Sequence, residues 1–332
     1  MDAARTDSFH GIRLGLRWLL LAGLLWSTTG SGRAAETVPS TEPVRRPFRA
    51  AFTSSMFTEV NENDARAAMK VWIMTVARER NIPVDDELTI FSNAEAALRS
   101  PELDRVDGFA LTAEEFGVLR SRVNFDRIVI GLHDNKVTEQ YVLLIHNESG
   151  REQVADFRGR SLLVLHNPRM SVALTWLDTY LLQQGLPRAS AFWSRISSHS
   201  KPSRVALPVF FHQTDACIMT RRSFDTMCEL NPQIGKQLRI LATSPEIIPS
   251  MFALRADSQS VSQPDIIRET KRLNESPAGQ QILTLTQSSR AEDFPVTVMH
   301  DTLELISLHR RLLAAAKSDA PAVGPPAAGK SK

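Results

Sequence analysis

Apolar runs of strand length alternate along this chain with stretches whose apolar residues recur at helical spacing. The clearest example spans residues 155–182. Ser161–Leu165 is a continuous run typical of a buried parallel strand, and His166, Asn167 and Pro168 interrupt it. From Ser171 onward the apolar residues follow a 3.6-residue period. We therefore expect a strand, a loop and a helix in that order.

The same alternation extends over most of the chain. Strands are expected at residues 48–53, 87–91, 106–111, 125–132, 141–146, 161–165, 189–196, 216–219 and 238–242. Helices are expected at residues 64–80, after Asn93, from Thr112, from Ser171 and from Ser223, and the chain is expected to be helical from residue 262, with a last helix at 298–316. Alternation of this kind favours an α/β fold with parallel sheets covered by helices on both faces. A second unit is expected to begin near Asn147.

The two ends of the chain differ from the rest. Arg5, Arg13 and Arg17 precede an apolar run at residues 18–26, and small residues follow at Gly32 and Ala34. This pattern predicts a secretory signal peptide over residues 1–34, although a retained short anchor is an alternative. The run is shorter than the roughly 20 residues that a bilayer requires. Residues 317–332 are rich in Ala, Pro and Gly and are expected to be a disordered tail.

Charge excludes one class of partner. The 332-residue sequence has 39 Lys and Arg and 37 Asp and Glu. Removal of the leader takes away four arginines and two aspartates, which leaves 35 residues of each sign. A nucleic-acid binder needs a basic face, and the balanced charge gives no indication of one. Cys217 and Cys228 are the two cysteines; a disulfide and two free thiols both remain open.

Three stretches carry a resemblance to a known family: ADFRGRSLLVL at residues 155–165, VFFHQTDACIMTRRSFDTMCELNPQ at 209–233 and LRILATSP at 238–245. They resemble the periplasmic phosphate/phosphite/phosphonate-type substrate-binding proteins of ABC transporters. The similarity covers residues 48–312 and is strongest at 156–245. The resemblance implies a type 2 periplasmic binding protein fold, in which two Rossmann-like lobes are joined by two hinge strands. Residues 48–140 and 250–316 would form lobe 1, residues 141–249 lobe 2, and residues 141–147 and 243–251 the hinges.

The function implied by the resemblance is capture of a small anion in the periplasm, by hinge closure, and its delivery to an ABC transporter permease. The loop at residues 167–171 departs from the family pattern because it has no glycine and one serine, so fewer backbone amides can approach a phosphoryl group. A bidentate contact from Arg169 could offset that loss. The resemblance therefore supports a role in solute binding better than it supports a phosphoryl group as the ligand.

Candidate ligand-binding residues lie at expected strand ends and helix starts, where open α/β sheets bind anions. They are Ser54, Ser55, Thr112, Tyr141, Asn167, Arg169, Ser171 and Asp215. The acidic Asp215 is included through the resemblance, because an acidic residue at this place in the family can face a ligand's amino group. Structural roles remain open for each: Ser171 as a helix cap, Arg169 in a surface ion pair, Asp215 in a local turn and Tyr141 as a half-buried strand residue.

Metal, cofactor and catalytic signals are weak. Four histidines lie near expected strand ends without the short spacing of metal ligands; they are His133, His146, His166 and His212. The sequence has no nucleophile elbow, no zincin motif, and no P-loop or dinucleotide fingerprint between an expected strand and an expected helix. We expect no metal, no cofactor and no enzymatic activity. Two alternatives to transport are a periplasmic protein that reports a ligand to a membrane sensor kinase and an exported enzyme on a related fold.

Overall fold

A computed structural model describes residues 46–57, 61–80, 82–85, 87–260 and 263–318. The predicted signal peptide and the predicted tail beyond Ser318 lie outside these ranges. Within them the strands are β1 Ala50–Thr53, β2 Thr89–Phe91, β3 Gly108–Thr112, β4 Phe125–Leu132, β5 Tyr141–His146, β6 Ser161–Leu165, β7 Arg195–His199, β8 Ala216–Thr220, β9 Leu238–Thr243, β10 Ser250–Arg255 and β11 Arg290–Pro295. The α-helices are α1 Glu62–Arg80, α2 Ala94–Arg99, α3 Ala113–Leu119, α4 Ala173–Gln183, α5 Ala189–Phe192, α6 Pro202–Phe210, α7 Arg221–Leu230, α8 Pro232–Gln237, α9 Gln263–Lys271, α10 Pro277–Leu285 and α11 His300–Ser318.

The first sheet has six strands in the order β11-β4-β10-β3-β1-β2. β1 pairs in parallel with β2 and β3, while β10 runs antiparallel to both β3 and β4. β11 closes the sheet as an antiparallel edge strand next to β4. α1, α9 and α10 cover one face of this sheet, and α2, α3 and α11 cover the other.

The second sheet repeats the arrangement with five strands in the order β7-β6-β8-β5-β9. β6 is parallel to β7 and β8, and β5 is antiparallel to β8 and β9. In each sheet, therefore, one antiparallel strand lies between a block of three parallel strands and a fourth strand of the same direction. That strand is β10 in the first sheet and β5 in the second, the strand through which the chain enters each sheet after a crossing.

The chain crosses between the sheets twice, at residues 133–140 and 244–249. The crossings are paired, because Glu139 and Ile247 exchange backbone hydrogen bonds of 2.7 and 2.9 Å. Two sheets joined by two paired crossings confirm the predicted α/β fold of two lobes. The expected hinge at residues 141–147 is wrong: Tyr141–His146 is a fully buried strand inside the second sheet, so the first crossing lies before it.

α11 links the lobes by packing against α3 on one side and α4 on the other. His309 of α11 lies 3.3 Å from the Asp178 carboxylate of α4. One continuous cluster of buried apolar residues includes strands of both sheets. No helix among the described residues is both long enough and apolar enough to cross a bilayer.

Several local expectations were wrong. Residues 189–196 form the short helix α5 and the start of β7 rather than one strand, since Ala189 and Phe192 bury the same side of a single helical turn. α4 begins at Ala173 rather than at Ser171, and the cap of α7 is Thr220 rather than Ser223. The region after residue 262 contains the polar edge strand β11 in addition to helices.

Candidate functional site

The carboxyl ends of the parallel strands in the two sheets lie close to one another. β1 and β3 end at Thr53 and Thr112. From the other lobe, the Ser171 hydroxyl donates to the Pro249 carbonyl at 2.7 Å, and the Thr175 hydroxyl donates to the Glu114 carboxylate. Ligands of open α/β sheets bind outside the carboxyl ends of the strands. This junction between the lobes is therefore the candidate site.

Arg169 is the cation at the junction. It lies in a one-turn 3-10 helix, Pro168–Met170, directly after β6, and only 8% of its surface is exposed. Its Nη2 donates to Gln287 O at 2.7 Å, to Thr286 O at 3.3 Å and to Ser288 Oγ at 3.0 Å. These three residues belong to the other lobe, in the segment between α10 and β11. Arg169 thus ties the second lobe to the first.

Two cations of the second lobe meet one buried carboxylate at the junction. Arg169 Nη1 and Arg222 Nη2 both contact Glu139 Oε1, at 2.9 and 2.6 Å, and Glu139 is buried. Asp134 approaches Arg222 at 3.5 Å, but it is exposed and screened by water. Burial lowers the pKa of Arg169, and the Glu139 carboxylate opposes that shift. Two guanidinium groups thus share one buried carboxylate.

One donor of Arg169 is not used. Its Nε is buried and has no hydrogen-bond partner among the described residues. The neighbouring Asn167 makes no capping hydrogen bond, and its Oδ1 is likewise buried without a partner. Buried polar groups in folded proteins normally have partners. The turn therefore leaves one strong donor and one acceptor for a further molecule.

Tyr141 supports the Pro168–Met170 turn through a hydrogen bond to its backbone. It is fully buried, and its hydroxyl donates to the Arg169 carbonyl at 2.8 Å. Burial raises the pKa of Tyr141 far above its usual range, so the phenol stays neutral and donates. Its ring also lies 6.3 Å from that of Trp176. The contact positions the backbone from which Arg169 projects.

On the first lobe, one carboxylate accepts hydrogen bonds from three hydroxyl groups, two of which belong to the candidate residues Ser55 and Thr112. Glu115 Oε2 accepts hydrogen bonds from Thr53 Oγ1 at 2.7 Å, Ser55 Oγ at 2.8 Å and Thr112 Oγ1 at 2.9 Å. The Thr112 backbone N–H adds a fourth at 3.0 Å, as part of a capping box for α3. Ser54 lies beside this cluster, with Oγ 3.4 Å from Phe91 O. The hydroxyl groups that could hold an anionic ligand thus already surround the protein's own Glu115 carboxylate; we call these groups, on Thr53, Ser55 and Thr112, the hydroxyl cradle.

Asp215 lies at the other end of the second sheet. It accepts hydrogen bonds from Ser161 N and Oγ at 3.0 and 2.7 Å, at the amino end of β6. β6 has five residues, so about 13 Å separate the Cα atoms of its first and last residues. Burial opposes the charged form of Asp215, but the bonds from Ser161 and the charges of Arg160 and Arg151 outweigh it and lower the pKa. Asp215 connects the starts of β6 and β8.

The structure adds functional candidates that the sequence analysis missed, namely Glu115, Glu139, Arg222 and Ser288. Glu115 had a detectable signal, since Thr112 followed three residues later by Glu is a capping-box pattern. Glu139 and Ser288 had none, because their contacts with Arg169 join segments 30 and 119 residues apart.

A cluster of His146, Glu148 and His212 lies away from the junction, with one ligand atom from each within 4.8 Å of the others. His146 Nδ1 accepts the Glu148 N–H at 3.1 Å, while Glu148 and His212 are exposed. Exposed acidic groups are common without an ion, and this cluster is not part of the candidate site. Both cysteines are free thiols, and burial raises the pKa of Cys217.

Two α/β lobes that meet at the carboxyl ends of their strands define a two-lobe solute-binding protein of the type 2 periplasmic fold. Among solved structures, a binding component of an ABC phosphonate transporter from Pseudomonas aeruginosa is similar with a TM-score of 0.54 at 12% identity, over 83% of this chain and 91% of that one. A Xanthomonas citri protein bound to ATP is similar with a TM-score of 0.56 at 13% identity, over 80% of this chain and 98% of that one. PhnD1 of Prochlorococcus marinus in complex with methylphosphonate is similar with a TM-score of 0.53 at 13% identity, over 81% of this chain and 98% of that one.

Family membership rests on sequence. The profile of the family described as "ABC transporter, phosphonate, periplasmic substrate-binding protein" matches residues 56–294. The chain therefore belongs to the periplasmic substrate-binding proteins of phosphonate ABC transporters. This is a family of transport proteins and not of enzymes. A comparison with curated proteins found no match.

Proposed function

We propose that this protein is exported through its signal peptide, captures a small phosphate-, phosphite- or phosphonate-like anion between its lobes and delivers it to an ABC transporter permease. The observation that carries the proposal is Arg169, a buried cation at the junction with an unused Nε donor. Family membership favours transport over the sensor alternative.

The proposed contacts come from both edges of the junction. Asn167, Arg169 and Ser171 follow β6, while Ser54 and Ser55 follow β1 and Thr112 ends β3. Tyr141 and Asp215 stay outside the proposed contact set. The former is fully buried beneath the Pro168–Met170 turn, and the latter lies at the opposite sheet edge.

Hinge closure is the proposed mechanism. Residues 133–140 and 244–249 are the segments joining the lobes, and a ligand held from both sides stabilises the closed arrangement relative to an open one. Arg169 bonds to residues 286–288 of lobe 1, and we assign this arrangement to the closed form. An open form would lose these bonds, and an anion that pairs with the guanidinium would favour their re-formation.

A thermal-shift panel tests this proposal with phosphate, phosphite, methylphosphonate, 2-aminoethylphosphonate, sulfate and acetate. A ligand at one hundred times its Kd stabilises by about 2.7 kcal/mol, which raises the Tm by several degrees. Arg169→Gln should weaken binding of the responding ligand at least tenfold, since a hydrogen bond to a charged group is worth about 1.5–3 kcal/mol. The matched control is Arg221→Gln, whose partner is the exposed Asp225. A panel without any response would contradict the proposal.

A further inference from the structure

A cavity of about 140 Å³ lies inside the first lobe, between its sheet and the layer formed by α1, α9 and α10. An engineered apolar cavity of about 150 Å³ in another protein binds benzene. The cavity in this lobe thus has room for an aromatic ring or a chain of about six carbons. Its walls are mostly apolar side chains, including Phe52, Met69, Ile73, Val129 and Phe252.

Small residues on one face of the sheet create the space. Ala50, Ala110 and Ala291 point toward α1, α9 and α10, where larger side chains would fill the gap. On the opposite face, the neighbours of Ala110 in β3 are the fully buried Phe109 and Leu111. Protein cores are normally close-packed, so a void of this size inside the lobe is a distinct feature of its core.

The polar end of the cavity is Arg169. This residue lines it together with Thr286 and Ser288, and the unpartnered Nε is on the same side chain. Gly131 allows Ser288 to pack at this end of the cavity, because a Cβ at position 131 would lie 2.1 Å from Ser288 Oγ. The buried Glu269 carboxylate also lines the cavity, but it is paired with Arg268 and Arg272. Apolar walls that end at the buried Arg169 cation match an anion with an apolar tail.

We propose that the solute of this protein is an amphiphilic anion whose acidic head group contacts Arg169 and whose alkyl or aryl tail of about six carbons occupies the cavity in lobe 1. This inference rests on the proposed function and narrows its substrate class. Phosphonate and carboxylate heads share the required chemistry, a compact anion that accepts from a guanidinium.

Isothermal titration of the purified protein with methyl-, butyl-, hexyl- and octylphosphonate, and with hexanoate, tests the proposal. Each buried methylene should tighten binding about fourfold. Hexylphosphonate should therefore bind roughly a thousandfold more tightly than methylphosphonate if its five additional carbons are all buried, and octylphosphonate should gain little more. Hexanoate has a tail one carbon shorter than that of hexylphosphonate, so a difference in affinity beyond about fourfold identifies the preferred head group.

The outcomes distinguish the proposed binding of a small anion between the lobes from the proposed binding of an apolar tail in the cavity. Equal affinity for methyl- and hexylphosphonate would overturn the cavity assignment and leave small-anion binding intact. Absence of binding by every probe would overturn both. Hexanol is titrated as an uncharged control, and its binding as tightly as hexylphosphonate would overturn the role of Arg169.

A cavity-filling variant gives a second test. Ala50→Leu places a larger side chain in the cavity and should reduce the affinity for hexylphosphonate to that for methylphosphonate, without weakening methylphosphonate binding. The matched control, Ala191→Leu, lies on the exposed side of α5 and should change neither. Unchanged hexylphosphonate affinity in Ala50→Leu would contradict the proposal. If that variant does not fold, the chain-length series on the unaltered protein still decides the question.

Discussion

Arg169 Nη1 lies 2.9 Å from Glu139 Oε1, and both side chains are buried. The pair joins the turn after β6 to the first crossing between the lobes. Removing one partner of a buried ion pair leaves an uncompensated charge, which costs more than the pair itself contributes. The position of the Arg169 guanidinium therefore depends on Glu139.

Glu139→Gln should lower the free energy of unfolding by about 3 kcal/mol, because Arg169 and Arg222 would lose their shared counter-charge. Urea unfolding monitored by circular dichroism measures the change. Asp225→Asn is the control, since it breaks an exposed pair with Arg221 and should cost less than about 1 kcal/mol. Equal effects of the two substitutions would rule out a special role for the buried pair.

Glu115→Gln should increase affinity for a small divalent anion about tenfold or more. The carboxylate of Glu115 occupies the cradle formed by Thr53, Ser55 and Thr112, and at about 4 Å it would repel an entering anion by up to ~4 kcal/mol. The amide retains acceptor capacity for the capping box. Titration with methylphosphonate measures the gain, and Glu95→Gln, in the exposed first turn of α2, is the control. A loss of affinity would mean that Glu115 organises the site rather than competing with the ligand.

Asp215→Asn should destabilise the protein at neutral pH but much less in acid. The folded-state pKa of Asp215 is lowered, so its stabilising contribution is present above the unfolded value of about 3.9 and is lost as the pH falls through the folded-state pKa. Unfolding curves of the variant and the unaltered protein should therefore converge below about pH 4. Exposed Asp126→Asn serves as the control. A constant difference from pH 7 to pH 3 would contradict this role.

One cysteine should react with maleimide in the native protein, and both should react after denaturation. Burial raises the pKa of Cys217 and encloses it in β8, whereas Cys228 on α7 is half-buried. Partial burial and the Asp225 charge raise the pKa of Cys228, so labelling should be slow at pH 7 and faster at higher pH. Mass spectrometry after maleimide treatment counts the thiols. Fewer than two reactive thiols in non-reducing denaturant would indicate a disulfide.

Much of the fold follows from local pattern. β6 is a continuous apolar run buried on both faces, and its predicted bounds, Ser161–Leu165, are those observed. β11, Arg290–Pro295, has a polar sequence because it is an edge strand, and its pairing with β4 is set more than 150 residues away. No local pattern reports such a partner. The short run at 189–196 is equally compatible with helix and strand by periodicity alone.

The site was only partly predictable, for a related reason. Strand ends and helix starts directed attention to Arg169, Ser55 and Thr112. Their partners decide what these side chains can do, and Glu139, Ser288 and Glu115 become neighbours only in the folded protein. A loop arginine and a buried cation at a lobe junction look alike in sequence. The size of the cavity likewise depends on how helices from distant segments sit over small residues of the sheet.

The most direct test of the central claim, that an anionic solute binds at Arg169 between the lobes, is titration of the protein and of Arg169→Gln with methylphosphonate and hexylphosphonate. The account predicts saturable binding of at least one phosphonate by the unaltered protein, weakened at least tenfold in Arg169→Gln and retained in Arg221→Gln. Binding of equal strength in Arg169→Gln, or no binding by the unaltered protein, would contradict it.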